Sequence, residues 1–74
     1  MAVTITMSSF ARGPVQRDGS WWITETHLTD DSAHPVVEVS YLTTDDDAGI
    51  AARMAARAAE IAADLNAPPP EDSP

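Results

Sequence analysis

Cysteine is missing from this chain of 74 residues, and its absence excludes disulfide bonds and thiolate metal sites together. A chain of this length buries only about 60% of its unfolded surface, so its core is small. Domains below roughly 70–80 residues commonly rely on a disulfide, a metal or a neighbouring subunit for stability. With disulfides excluded, we expect association with another chain to supply the missing stability.

Basic side chains are also scarce. The sequence has four arginines and no lysine against 12 acidic residues, which gives a formal net charge of -8. Nucleic acids and anionic membranes both require basic surfaces, so neither is an expected partner. The charge suits a soluble protein or one that binds a basic partner.

Long apolar runs are lacking as well. No stretch approaches the roughly 20 apolar residues that cross a bilayer as a helix. The first six residues, Met-Ala-Val-Thr-Ile-Thr, lack both the basic segment and the continuous apolar segment of a secretion signal. We therefore expect neither a membrane anchor nor a secretion signal.

Three segments predict β-strands: the first and third alternate apolar and polar residues, whereas the central one is rich in β-branched and aromatic residues and has no cleanly apolar face. Residues 2–10 place Val3, Ile5 and Met7 on one face, and Arg12-Gly13-Pro14 is expected to end this strand. Residues 21–28 lie between the turn signals Asp18-Gly19 and Thr29–Ser32. Residues 36–42 place Val37, Val39 and Tyr41 on one face. Short connections favour the antiparallel order 1-2-3.

The two tryptophans of the central strand are adjacent, so their side chains must point to opposite faces of the sheet. Trp21 is expected to face inward, because Ile23 follows it on the same face. Trp22 is followed on its own face by two threonines. An aromatic side chain is therefore expected on the face away from the core.

The apolar period changes to that of a helix after residue 47, with Ile50, Met54, Ala58, Ile61 and Leu65 on one face. Thr43 or Thr44 is the expected N-cap, and the helix should be about 20 residues long. The fold class is thus α+β: a three-stranded antiparallel meander followed by one C-terminal helix on one sheet face. Residues 1–66 form one domain, and the proline-rich acidic residues 67–74 are predicted to be a disordered tail.

The candidate catalytic and ligand-binding residues do not have the spacing of a known catalytic or metal-binding motif. His27 and His34 flank Asp30 and Asp31, but their spacing matches no metal motif. Asp45–Asp47 lack the glycine and the distal glutamate of a calcium loop, and helix capping explains them. Glu25 is expected on a wet face or paired with Arg53 or Arg57. No catalytic, cofactor-binding or metal-binding residue is assigned, and the chain is predicted not to be an enzyme.

The predicted interaction surface is the sheet face opposite the helix. It should carry four large apolar residues: Trp22, Leu28, Val36 and Leu42. Aromatic and apolar residues mixed with threonines are typical of protein interfaces. The expected partner is another protein or a second copy of the chain.

Two features lie within the segments 19–27, 37–42 and 51–61: a Trp-x-x-Glu-x-His strand and an alanine- and arginine-rich helix. In these features the chain resembles small uncharacterised proteins of tailed bacteriophages from GC-rich hosts. The resemblance covers roughly residues 15–65. It implies a structural or assembly role in the tail or virion. Because neither a secretion signal nor a membrane span is expected, the expected location is the virion or the host cytoplasm. The alternative function is an acidic inhibitor that mimics nucleic acid and blocks a basic host protein, although the acidic residues form no strip with phosphate-like spacing.

Overall fold

A computed structural model describes residues 2–67 of the chain. Three strands, β1 (Ile5–Val15), β2 (Trp21–Thr29) and β3 (Val36–Thr43), precede one helix, α1 (Asp47–Asn66). Both strand pairs are antiparallel, the order is β1-β2-β3, and α1 packs on one face of the sheet. This confirms the predicted β-β-β-α fold. The predicted tail, except for Ala67, lies outside the described residues.

The first strand differs from its prediction at both ends. The register of β1 against β2 shifts between Ile5 and Met7, so the alternation of side chains changes there. As a result, Met7 points away from the helix and is 59% exposed, although the sequence pattern placed it beside Ile5. The strand also continues to Val15, because a second register shift accommodates Gly13 and Pro14.

The turn between β1 and β2 depends on Asp18-Gly19, as the sequence predicts. Gly19 has a φ of +89°, a conformation that side chains with a Cβ rarely adopt. Asp18 Oδ1 accepts hydrogen bonds from the hydroxyl and the amide of Ser20. These bonds hold the pKa of Asp18 below its ordinary value.

The core lies between α1 and the inner face of the sheet. Ile23 and Ile50 are the fully buried apolar residues within 2–67. Trp21 is half-buried on this face and Trp22 is exposed on the other, which confirms the predicted orientation of the pair. The remaining apolar positions of the helix stripe, from Met54 to Leu65, are only partly buried. A core with so little fully buried apolar surface agrees with the expectation from chain length.

The N-cap of α1 differs from the predicted one, and the last helical residue contacts the start of the chain. Asp46, rather than Thr43 or Thr44, is the N-cap, and its side chain accepts from the Gly49 amide at 2.9 Å. Asn66 is the last helical residue, and its side-chain amide both donates to and accepts from the backbone of Val3. The C-terminal end of the helix is thereby joined to the start of the chain.

Candidate functional site

The sheet face away from α1, here called the outer face, is defined by the strand register. Thr24, Thr26 and Leu28 of β2 each lie opposite a residue of β1 and a residue of β3 on the same face, and Trp22 lies opposite Leu42 of β3. Its described members are Met7, Ser9, Ala11, Trp22, Thr24, Thr26, Leu28, Val36, Glu38, Ser40 and Leu42. The four predicted interaction residues therefore share one face.

Apolar side chains lie at the two ends of the outer face. Trp22 is directly opposite Leu42, and Leu28 is opposite both Val36 and Met7. Trp22, Leu42 and Val36 are 41%, 48% and 49% exposed, whereas Leu28 is half-buried. Sequence reasoning missed Met7, because no residue signals the bulge that turns it outward.

The middle of the outer face is polar but almost uncharged. Thr24 and Ser40 hydrogen-bond through their hydroxyl groups at 3.1 Å. Among the described outer-face residues, Glu38 is the single charged side chain, although the whole chain has a net charge of -8. Within residues 2–67, the acidic residues therefore lie mostly away from the outer face.

Gly13 allows β1 to approach Trp22 closely. A Cβ at position 13 would lie 3.1 Å from Trp22 Cβ, tighter than ordinary van der Waals contact. A side chain at this position would therefore displace the base of the tryptophan. Gly13 therefore lets β1 pack closely against the base of Trp22.

A buried polar cluster lies on the opposite, inner face of the sheet and is centred on Glu25. This carboxylate is fully buried and accepts three hydrogen bonds, from Tyr41 Oη at 2.6 Å, Arg57 Nε at 2.8 Å and His27 Nε2 at 2.9 Å. Burial raises the pKa of Glu25, but the bonds from Tyr41, His27 and Arg57 together outweigh burial and lower it. The sequence-based pairing of Glu25 with Arg57 is confirmed, whereas Arg53 binds Asp45.

His27 connects Ser8 to this carboxylate. Its Nδ1 is 2.8 Å from Ser8 Oγ and its Nε2 is 2.9 Å from Glu25 Oε1. The order of groups resembles that of a serine hydrolase triad. Both His27 and Glu25 have no solvent exposure, and neither of the two surface pockets found is lined by Ser8. This arrangement satisfies buried polar atoms, as folded cores require.

The other acidic and histidine candidates are separated by the fold. His34 Nδ1 contacts Asp31 at 3.0 Å, Asp30 accepts from the Thr4 amide, and His27 lies in the core. Two hydrogen bonds hold the pKa of Asp31 below its ordinary value: the one from the Ala33 amide has the larger effect, and the one from the His34 side chain adds to it. Across residues 2–67, no three histidine or acidic side chains are grouped as metal ligands would be.

The three aspartates before α1 have separate contacts. Asp45 binds Arg53 at 2.7 Å, Asp46 caps the helix and Asp47 binds Arg12. The Arg12 guanidinium also lies 4.8 Å from the centre of the Trp21 ring. Of these contacts, the Asp47–Arg12 pair joins the start of the helix to β1.

A shallow pocket of about 400 Å³ is found beside the helix start, lined by Arg12, Trp21, Asp46, Asp47 and Ala48. Trp21 Nε1 is the one buried side-chain polar atom without a hydrogen-bond partner in the described part of the chain. Because Asp47 already binds Arg12, the pocket presents little free positive charge to an anion.

No family model, curated protein or solved structure matches this chain. Within the described residues, α1 is not apolar enough to cross a membrane.

Proposed function

We propose that this protein is a non-enzymatic structural or assembly subunit that binds another protein through its outer face. The observation that carries the proposal is the row of exposed apolar side chains on that face, with Trp22 and Leu42 at one end and Val36 at the other. Large apolar residues around a polar centre with a single described charge, Glu38, resemble the buried part of a protein interface, where charged residues are depleted and tryptophan is enriched.

The proposed setting is a phage particle, at the tail or within the virion. This part of the proposal depends on the resemblance carried by residues 15–65. The small core supports only the more general part of the proposal, association with a partner, because a domain whose described residues include two fully buried apolar ones gains stability when a partner covers more apolar surface.

The non-enzymatic part of the proposal is supported by the surroundings of Ser8 and His27. A catalytic serine needs space for a substrate and hydrogen-bond donors for an oxyanion. Here His27 is completely buried, and the Glu25 beside it is held by Tyr41 and Arg57 in a contact between the helix and the sheet. A serine-directed phosphonylating reagent should leave Ser8 unmodified, and labelling of Ser8 would contradict this part of the proposal.

The alternative, an acidic mimic of nucleic acid, has less support from the geometry. A mimic needs carboxylates spaced along one surface like phosphates. Glu25 is buried, Asp45 and Asp47 bind arginines, and the outer face carries only Glu38 among its described residues. These acidic groups are thus divided among separate contacts.

The proposed function can be tested with tagged wild-type protein and two variants expressed during infection of the host. Trp22→Ser removes the largest exposed apolar side chain of the outer face. Val15→Ser is the matched control. Val15 is an apolar residue that is 68% exposed, but it lies opposite Trp21 and is therefore not part of the outer face. Captured proteins are identified by mass spectrometry.

The expected result is capture of a tail or capsid protein by the wild type and by Val15→Ser, with at least a tenfold loss for Trp22→Ser. Equal capture by all three proteins would contradict the outer face as the binding surface. Capture of a basic nucleic-acid enzyme would support the mimic instead.

A further inference from the structure

The backbone of β3 has one side that faces no other strand. The Thr29 amide donates to the Pro35 carbonyl at 3.0 Å, which identifies residues 29 and 35 as a hydrogen-bonded pair of the antiparallel ladder. Because such pairs alternate, residues 37, 39, 41 and 43 bond to β2, and the N–H and C=O groups of residues 36, 38, 40 and 42 point to the open edge. Within residues 2–67, no hydrogen bond outside the β2–β3 ladder uses a backbone group of these four residues.

This edge also lacks the usual features that prevent pairing with another strand. Natural edge strands are protected by lysine, proline, bulges or a short length. All eight residues of β3 keep a regular register with β2, with no proline, no bulge and Glu38 as their one charge. The opposite edge differs, because β1 has two register shifts and contains Pro14, which has no N–H to donate.

We propose that two copies of this chain pair through their β3 edges, antiparallel about a two-fold axis, so that two three-stranded sheets become one six-stranded sheet. This dimer would be the unit that presents the outer face to a partner, so its biological role rests on the proposed function. A second copy suits this edge because a two-fold axis makes any strand edge complementary to itself in backbone hydrogen bonds.

The same alternation restricts the register of the pairing. The outward groups of two antiparallel strands can meet only if even-numbered residues pair with even-numbered residues. Placing Val39 opposite its own copy meets this condition and puts Val36 opposite Leu42 of the second copy. It also puts each Glu38 opposite Ser40, which avoids a direct pair of like charges.

The area of the outer face agrees with this assembly. Three strands about 4.8 Å apart and about 26 Å long give one copy a face of roughly 400 Å². Two paired copies present a continuous face of roughly 800 Å², the contribution of each partner to a standard stable interface. The pairing therefore doubles the surface that the proposed partner would contact.

The charge of the chain predicts how salt affects this dimer. Two chains of net charge -8 repel each other, and salt screens that repulsion. Raising the salt concentration from about 0.02 to about 0.5 M should therefore strengthen the dimer. Weaker association in high salt would overturn the proposal, because it would indicate attraction between opposite charges.

The register is tested by charge substitutions at Ser40, an exposed residue whose side chain would face Glu38 of the second copy. Ser40→Lys creates two attractive cross-edge pairs and Ser40→Glu two repulsive ones. The dissociation constant from analytical ultracentrifugation should be roughly tenfold lower for Ser40→Lys than for Ser40→Glu. Ala59→Lys and Ala59→Glu, on the exposed surface of α1, change the net charge equally and should differ much less.

Cross-linking provides an independent test in this cysteine-free chain. Val39→Cys places two thiols at a non-hydrogen-bonded pair, where Cα atoms are about 4.5 Å apart, within the range of a disulfide. Oxidation should give a cross-linked dimer with Val39→Cys and much less with Glu38→Cys, whose copies lie diagonally. Circular dichroism of each variant checks that the fold is kept.

The β3-edge dimer and partner binding by the outer face can be tested separately. Trp22→Ser should leave the β3-edge dimer unchanged while it reduces capture of the partner. A wild-type protein that remains monomeric to millimolar concentration, or equal effects of the Ser40 and Ala59 substitutions, would overturn the dimer. Either result would leave the test of the outer face with Trp22 and Val15 intact.

Discussion

Arg57 on the helix donates from Nε to Glu25 Oε1 on the central strand at 2.8 Å, across 32 positions of sequence. The carboxylate is completely buried, and the arginine is partly exposed. The guanidinium also lies 5.1 Å from the centre of the Tyr41 ring, whose hydroxyl donates to the same carboxylate. Three elements of the fold, α1, β2 and β3, thus share one buried charge.

Arg57→Ala should destabilise the protein by about 2–3 kcal/mol, because it leaves a buried carboxylate without its cationic partner. Arg53→Ala is the matched control. Arg53 also lies over Tyr41, but it binds the partly exposed Asp45, so its loss should cost no more than about 1 kcal/mol. Urea denaturation followed by tryptophan fluorescence measures both, and equal costs would contradict the assigned role of Arg57.

Stability should decrease in acid through Glu25. The folded state lowers the pKa of this group below its ordinary value of 4.5, so the ionised form stabilises the fold above pH 4.5. That contribution is lost as the pH falls through the folded-state pKa. Glu25→Gln should therefore give a shallower decline of the unfolding free energy between pH 4.5 and pH 2 than the wild type, measured by urea denaturation. An identical slope in the two proteins would show that other carboxyl groups, such as Asp18 and Asp31, account for the dependence.

Tyr41 should produce the opposite dependence in alkali. Burial raises the pKa of its hydroxyl above the ordinary value of 10.0, and the hydrogen bond to Glu25 adds a smaller effect in the same direction. The neutral form therefore stabilises the fold below pH 10, and this contribution is lost as the pH rises through the raised pKa. Tyr41→Phe should cost about 1 kcal/mol at neutral pH and remove this alkaline loss. Spectrophotometric titration of the folded wild type should place the tyrosine pKa above 10; a lower value would contradict the bond.

Ile50→Ala should be the most destabilising alanine substitution in the apolar stripe of the helix. Ile50 is fully buried, and removing its side chain leaves a cavity, at a cost of about 3 kcal/mol. Ile61 lies on the same stripe but is half-buried, so Ile61→Ala should destabilise the protein by about 1 kcal/mol. Thermal unfolding of both variants is the measurement, and a larger loss for Ile61→Ala would place the centre of the core nearer the end of the helix.

The sequence by itself determined the secondary structure and its order. The β-branched and aromatic content of residues 21–28, the alternation of residues 36–42 and the helical period after residue 47 are local patterns that these elements require. The same patterns predicted that Trp22, Leu28, Val36 and Leu42 share a face, because side-chain direction along a regular strand follows from position alone.

Tertiary structure decided what these patterns do not encode. The bulge between Ile5 and Met7 depends on how β1 meets β2, so the alternation of β1 alone placed Met7 on the wrong face. Glu25 and His27 are polar, and their burial became favourable only when Arg57, Tyr41 and Ser8 supplied hydrogen-bond partners from three other elements. A buried charge is stabilised by groups distant in sequence, and the position of those groups exists only in the folded chain.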